Sequence, residues 1–347
     1  MNNDSVTGWD LGGAHLKAAL LDESGIRDII QSPCPLWQGL EHLETAMEEV
    51  LERFGPTRLN AITMTGELAD IFESRTEGVR RLIAVTSAKI LKSHVLIYAG
   101  LDGMLPPNRA LEHTEAVASA NWRASAHLAA REVREGLFVD MGSSTTDIIP
   151  LSEGCVAAAG LTDFQRLAEK ELVYTGVVRS PLMSLAESVP FLGKRVGVVA
   201  EHFATTADIH RLNNTLPEGA DLLPAADGGG KTEWDSARRL ARMVGCDLAD
   251  AEMAAWRSLA RVFISHQEKR LLTACREVTS RTGMDREAPV VGAGSGCAMI
   301  RKLAKKLERP YLDFADLLLP GTYDKEQAAA CAPAVAVARL GLEAFQS

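Results

Sequence analysis

Apolar and polar positions at the start of the chain fall into short runs. Val6 to Leu11, His15 to Leu21 and Ile26 to Ser32 are each apolar or alternating and are broken by Gly or Asp, which predicts three short strands in a meander. Leu40, Leu43, Ala46, Met47, Val50 and Leu51 then recur at helical spacing and stop before Gly55-Pro56. Leu59 to Thr65 reads as a fourth, buried strand. A helical region from about Gly78 to Lys92 precedes a strand at Val95 to Tyr98, and Asn121 to Val133 forms a helix with Trp122, Ala126 and Ala129 on its apolar face.

The opening pattern then returns. Leu137 to Met141 is an apolar strand, Gly142-Ser143-Ser144 a tight turn and Thr145 to Leu151 a second strand, so two strand, Asp-x-Gly turn, strand units lie about 130 residues apart. Such a repeat predicts an α/β protein of two related domains facing one central cleft, residues 1–134 and 135–347, the second with a helical insertion at about 155–285. Within that insertion the pattern from Gly154 to Leu223 is mixed, Asp227 to Lys231 reads as a flexible loop, and Trp234 to Val244 and Asp247 to Thr282 read as long helices. A buried strand at Ala288 to Val291 runs into Gly292-Ala293-Gly294-Ser295-Gly296 and a basic helix to about Leu307. Gln327 to Phe345 closes the chain as an Ala-rich amphipathic helix.

Composition narrows the function classes. With 347 residues, 46% hydrophobic and 24% charged, the chain is an ordinary globular protein with enough apolar material for two cores. A net charge of −9 with no basic stripe argues against nucleic acid. The longest uncharged stretch, Ala288 to Ile300, has 13 residues, against roughly 18 or more for a membrane span, so no membrane is expected. Met1 to Ser5 lack a signal-peptide pattern, which makes the cytoplasm the default. Six cysteines without a C-x-x-C pair read as core residues, Cys297 alone lying beside a glycine turn. His202 and Asp208 lack the spacing of a zinc site.

The two Asp-x-Gly turns carry the candidate chemistry. Gly12 and Gly13 let backbone N–H groups approach an anion, Lys17 supplies a nearby point charge, and Asp10 ends a strand where hydrated Mg²⁺ suits a carboxylate. The second turn offers Asp140, Gly142 and the hydroxyls of Ser143, Ser144 and Thr145, followed by Asp147. Two such turns suit a diphosphate or a nucleotide's phosphates. The turn of Gly292, Gly294, Ser295 and Gly296 opens a helix and so suits an anion or a nucleoside, although its spacing is not the dinucleotide fingerprint.

This arrangement resembles the acetate kinase, sugar kinase, heat-shock 70 and actin superfamily, in which two duplicated ribonuclease H-like domains close over a nucleotide. Gly8-Trp9-Asp10-Leu11-Gly12-Gly13-Ala14-His15-Leu16-Lys17 is similar, more specifically, to hydantoinase/oxoprolinase-type proteins linked to tetrahydromethanopterin one-carbon transfer. Thr63 to Asp70, Ser119 to Trp122, Phe138 to Asp147, Tyr174 to Arg179 and Ala204 to Asp208 match as well, so the resemblance runs from residue 8 to about 300. Ala225 to Thr232 departs from the pattern, which has Thr-Ala-Asp-Gly and a basic residue there.

The resemblance implies a transferase of methanofuran biosynthesis. It joins an aminomethyl-furan methanol diphosphate to γ-glutamyltyramine, or a related phenol, forming an aryl ether and releasing diphosphate. Bacterial members use a methanofuran-like cofactor in methylotrophy. On that reading Gly12, Gly13, Lys17, Gly142, Ser143, Ser144 and Thr145 hold the diphosphate, while Asp10 and Asp140 hold Mg²⁺ mostly through water. Glu67 is the preferred base for the phenol, whose ordinary pKa is near ~10, with Asp70 and Asp147 as competitors and helix capping as its structural alternative. Asn121 and Trp122 are candidates to line the acceptor ring, and Arg179 to pair with a substrate carboxylate. Two alternatives stay open: an ATP-dependent kinase or amidohydrolase with its nucleoside at Gly292 to Gly296, and a nucleotide-binding partner without chemistry. Neither a need for ATP nor a homo-oligomer is decided by the residues.

Overall fold

The computed structural model describes residues 5–91, 93–318 and 323–346. Two compact units emerge: Met1–Glu135 with Leu151–Ala157 and Asp313–Ser347, and Gly136–Pro150 with Ala158–Leu312. The expected helix end at Lys92 lies outside the described residues, the helix itself running Arg75–Lys89.

The first unit contains β1 (Val6–Leu11), β2 (His15–Asp22), β3 (Gly25–Pro33), α1 (Glu41–Phe54), β4 (Leu59–Met64), α2 (Arg75–Lys89), β5 (His94–Tyr98), β6 (Met104–Leu105) and α3 (Asn121–Glu132). Its sheet has the order β3-β2-β1-β4-β5-β6. β2 runs antiparallel to β1 and β3, while β1, β4 and β5 are parallel. β1 and β4 are buried along their whole length, as strands covered on both faces are. On one face Leu43, Met47 and Val50 of α1 join Val79, Leu82 and Ile83 of α2 in a core with Leu11, Ile62 and Met64.

The C-terminal helix Ala332–Gln346 belongs to this unit, not to the second domain as the sequence reading has it. Small residues explain why. A Cβ at Gly8 of β1 would lie 2.0 Å from Ala334 O, and one at Gly341 would lie 2.6 Å from the Ala61 Cβ of β4. The helix lies so close on β1 and β4 that only glycine and alanine fit, which binds residues distant in sequence into one core.

The second unit repeats the plan with β7 (Gly136–Met141), β8 (Thr146–Ser152), whose last residues and the short β9 (Cys155–Val156) paired with it fall in the segment grouped with the first unit, α4 (Asp163–Ala168), β10 (Leu172–Val173), β11 (Ser188–Phe191), β12 (Lys194–Gly197), α5 (Thr206–Leu212), α6 (Glu233–Arg242), α7 (Met253–Thr282), β13 (Val290–Ala293), α8 (Cys297–Lys306) and β14 (Tyr311–Asp313). Its order β10-β8-β7-β13-β14 reproduces that of the first sheet, again with antiparallel β8 and parallel β13. Each unit is thus a ribonuclease H-like α/β domain.

Between β10 and β13 lies a mostly helical insertion with its own core around Trp256, Phe263, Leu240 and Ile209. Asp247 to Thr282 is not one helix: a 3₁₀ turn at Leu248–Asp250 precedes α7. Asp227 to Lys231, expected to be flexible, is tied down. Asp227 accepts from Gly229 N at 3.0 Å and from fully buried Arg239, and Lys231 Nζ donates to Asp221 O at 2.7 Å. Arg239 also pairs with Asp208 at 2.7 Å, so this buried guanidinium joins the loop to the insertion's own helix.

Candidate functional site

The two Asp-x-Gly turns have the same backbone wiring. Gly12 N donates to His15 O at 3.1 Å, and Gly142 N donates to Thr145 O at 2.9 Å. The turn after the neighbouring parallel strand clamps each from one side: Thr65 N donates to Leu11 O at 3.0 Å, and Gly296 N to Met141 O at 2.9 Å. The segment leaving the third strand braces the other side, with Leu36 N on Gly13 O at 3.1 Å and Val178 N on Ser143 O at 3.0 Å. Each turn lies at the carboxyl end of parallel strands, where open α/β sheets bind ligands.

In the first unit this edge gathers several predicted residues. Asp10 is buried, and its carboxylate accepts from Asn121 Nδ2 at 3.4 Å, Asn121 being the first residue of α3. Gly66 packs on the glycine turn, since a Cβ there would lie 3.0 Å from Leu11 O and 3.4 Å from Gly12 C. This sets Glu67 beside that turn. Glu67 is 1% exposed, and its Oε1 accepts from Ser119 Oγ at 2.7 Å. Ser119 itself has a φ of 51°, a conformation unusual outside glycine. Gly78 of α2 makes the burial feasible, because a Cβ there would lie 2.5 Å from Glu67 O. Glu67 is thus a sequestered carboxylate that takes a hydroxyl donor from Ser119.

Three further predicted residues of this unit are placed differently from one another. Lys17 Nζ donates to Ala330 O at 2.7 Å, leaving two of its three protons for a ligand. Trp122 is 3% exposed, so it is a core residue and no wall for an acceptor ring. Asp70 is exposed.

In the second unit, Gly142, Ser143, Ser144 and Thr145 are all half-buried, with their backbone held as described. The brace is tight: a Cβ at Gly176 would lie 2.4 Å from Ser143 C and 2.5 Å from Ser144 N. Arg179 N donates to Ser143 O at 2.8 Å, and the residue is exposed, so its guanidinium emanates from beside the turn. Behind the brace runs a buried chain of hydrogen bonds. Gln267 Nε2 donates to Thr175 Oγ1 at 2.9 Å and Gly176 O at 2.8 Å, its Oε1 lies 3.0 Å from His210 Nε2, and His210 Nδ1 lies 2.9 Å from Thr215 Oγ1. Burial pushes the His210 imidazole down to about 4, so it is neutral near pH 7.

Asp147 is not free to act as a base. Arg166, 2% exposed, pairs with it and lies 3.7 Å from Asp163. Burial raises the Asp147 carboxyl above its ordinary value, with Arg166 opposing the shift. Asp140 lies at the turn, where a Cβ on Gly294 would be 2.3 Å from its Oδ1. Gly294, at φ 81°, and Gly292, against the Tyr311 ring, are glycines for close packing. Ser295 and Gly296 line a cavity of about 290 Å³ with Val177, Met299, Asn213 and Glu268. No periodic or motif signal in the sequence marks Asn213 or Glu268, which lie on the insertion. Among the described residues, no group of three or more His, Cys, Asp or Glu is placed to hold a metal. One carboxylate per turn fits a hydrated Mg²⁺ rather than a protein-caged ion.

Comparison with known proteins identifies the lineage. A family model described as hydantoinase/oxoprolinase matches residues 58–341. The chain belongs to the hydantoinase/oxoprolinase family. Within this family, the chain is 32% identical over 249 residues to the (4-{4-[2-(γ-L-glutamylamino)ethyl]phenoxymethyl}furan-2-yl)methanamine synthase of Methanocaldococcus jannaschii, covering 72% of this chain and 73% of that protein. It is 37% identical over 112 residues to the synthase of the same name from Methanococcus vannielii, covering 32% and 50% of the two chains. Among solved structures, a nucleotide-free acetone carboxylase, titled for ATP-dependent acetone carboxylation, aligns with a TM-score of 0.55 at 10% identity, over 89% of this chain and 68% of that one. That likeness concerns the fold alone. No helix among the described residues is long and apolar enough to cross a membrane.

Proposed function

We propose that this family member is a diphosphate-releasing transferase. It condenses an aminomethyl-furan methanol diphosphate with γ-glutamyltyramine, or a related tyramine-derived phenol, to the aryl ether of a methanofuran-type cofactor. The observation that carries the reading is the 32% identity to a synthase named for that ether, extending over most of both chains.

The residues suit the chemistry. A furfuryl carbon ionises readily because the ring oxygen delocalises the developing positive charge, so the enzyme's principal task is to stabilise the departing diphosphate. In the second unit Ser143, Ser144 and Thr145 present backbone N–H groups and hydroxyls, the Gly142 N–H being spent on Thr145 O, and Arg179 adds a cation beside the turn. In the first unit the Gly12 N–H is spent on His15 O within the turn, so Gly13 and the remaining protons of Lys17 form the like cradle for anionic oxygen. Bound Mg²⁺ would neutralise phosphate charge, and each unit offers one carboxylate to it, Asp10 or Asp140. Glu67 takes the phenol proton as the aryl oxygen attacks, with Ser119 holding the carboxylate's orientation. Asn121 keeps Asp10 in place through its amide.

Purified protein with Mg²⁺, the furan diphosphate and γ-glutamyltyramine, without ATP, should yield ether and diphosphate in equal amounts by mass spectrometry. No product without ATP, but turnover of ATP once it is added, would instead favour a kinase or amidohydrolase.

A further inference from the structure

The cavity of about 290 Å³ in the second unit adjoins the phosphate turn through two of its lining residues: Val177 N donates to Gly142 O at 3.0 Å, and Gly296 N to Met141 O. Its size is at the foot of the roughly 300–1,000 Å³ range of small-molecule pockets, which favours one small ring over an extended ligand. Val177, Ile264 and Met299 offer that ring apolar surface. The charged groups are sorted by depth. Arg261 and Lys302 are exposed at the rim, whereas the Glu268 side chain is only 14% exposed. Lys306, 55% exposed, pairs with Glu268 and lies outside the lining. A carboxylate has about four acceptor positions, so Glu268 can take a second cation from within the cavity.

A half-buried carboxylate inside, apolar walls around it and a phosphate turn at the margin match a ligand with three parts: a primary ammonium, a small aromatic ring and a phosphate. A purine nucleoside could offer Glu268 only neutral donors, an exocyclic amine or ribose hydroxyls, and no cation to match its charge. The donor of the reaction proposed above has all three parts, since its product is named as a furan methanamine. Resting on that reading, we infer that this cavity holds the furan ring and aminomethyl group of the donor, with Glu268 as the residue that selects for the ammonium. Asn213 and Thr215 supply the remaining polar contacts from the segment after α5.

The test compares calorimetric Kd values of the aminomethyl-furan methanol diphosphate and its methyl analogue, which lacks only the amine. Wild type should prefer the amine by roughly 10- to 100-fold, the worth of one charge-assisted hydrogen bond. Glu268→Gln should lose that preference while binding the methyl analogue within about twofold of wild type. Lys306→Gln breaks the same ion pair but keeps the carboxylate, so it should retain the preference. Equal loss in both variants would mean that the pair is only structural, and an undiminished preference in Glu268→Gln would remove the residue from recognition. Tighter binding of ADP than of the furan diphosphate, weakened by Met299→Trp filling the cavity, would assign the space to a nucleoside. Ether formation by an enzyme indifferent to the amine overturns this assignment alone, whereas absence of both binding and ether formation overturns the synthase reading as well.

Discussion

Gly176→Ala isolates what the brace does for the turn at Gly142 to Thr145, the proposed anion site. The added methyl would meet Ser143 C at 2.4 Å, Ser143 O at 2.5 Å and Ser144 N at 2.5 Å, all of them backbone atoms that no rotamer change can move aside. Ordinary carbon contacts begin near 3.5 Å, so turn and brace must separate by about 1 Å. Two consequences follow. Overpacking of this kind costs about 1–3 kcal/mol of stability. The separation also pulls on the bonds from Val177 N to Gly142 O and Val178 N to Ser143 O, which hold the N–H groups of the turn in register. Diphosphate affinity should therefore fall tenfold or more, beyond any loss explained by unfolding at the assay temperature. Urea denaturation gives the first quantity and titration calorimetry with Mg²⁺-diphosphate on the folded variant gives the second. A variant destabilised as expected yet binding diphosphate like wild type would refute the idea that this turn is the anion site.

The remaining predictions concern charge. Glu67→Gln should lower kcat at least a hundredfold with little change in diphosphate affinity, measured by steady-state kinetics and calorimetry, because only the step that consumes the phenol proton loses its acceptor. His210 is neutral in the fold and its pKa lies at about 4, against 6.5 ordinarily, so its contribution is complete above pH 6.5 and is lost as the pH falls towards 4. At 1.36 kcal/mol per unit this amounts to about 3 kcal/mol. Urea melts between pH 7.5 and 4.5 should show this dependence in wild type and not in His210→Gln; equal slopes would refute it. Arg166→Met should cost about 3–5 kcal/mol by leaving Asp147 and Asp163 unneutralised, and adding Asp147→Asn should recover much of the loss. If Asp147→Asn alone abolished turnover in a folded enzyme, its assignment to a structural pair would fail.

Much of the sheet architecture was legible because it is local. The strands around Asp10 and Asp140 alternate or run apolar over six or more residues, and the Asp-x-Gly turns between them are chemical punctuation that survives without any tertiary context. The place of the C-terminal helix was not legible. Its Ala-rich face would pack on either sheet, and what decides is the missing Cβ of Gly8, some 325 residues away, against Ala334 and Ala338. The Asp227–Lys231 loop misled for a related reason. Three glycines in a row signal freedom, but the restraint comes from Arg239 and Asp221, which no local pattern links to it.

The site was read in part for the same reason, and one relation escaped entirely. Gly66-Glu67 and Gly294-Ser295-Gly296 share no spacing, yet each follows the fourth strand of its unit and clamps the glycine turn through one N–H, from Thr65 to Leu11 O or from Gly296 to Met141 O. They are the same element of a duplicated fold. Duplication conserved the clamp and let the exposed chemistry diverge: the first copy places a buried carboxylate beside its glycine turn, and the second opens a cavity beside its own. On the function proposed above, the carboxylate would serve the acid–base step and the cavity would receive the donor, two different demands on otherwise like scaffolds. The positions to search for function are therefore the residues flanking the clamp, Glu67 and Ser295, more than the glycines, whose identity close packing explains at Gly66, Gly292 and Gly296, and packing with a positive φ at Gly294.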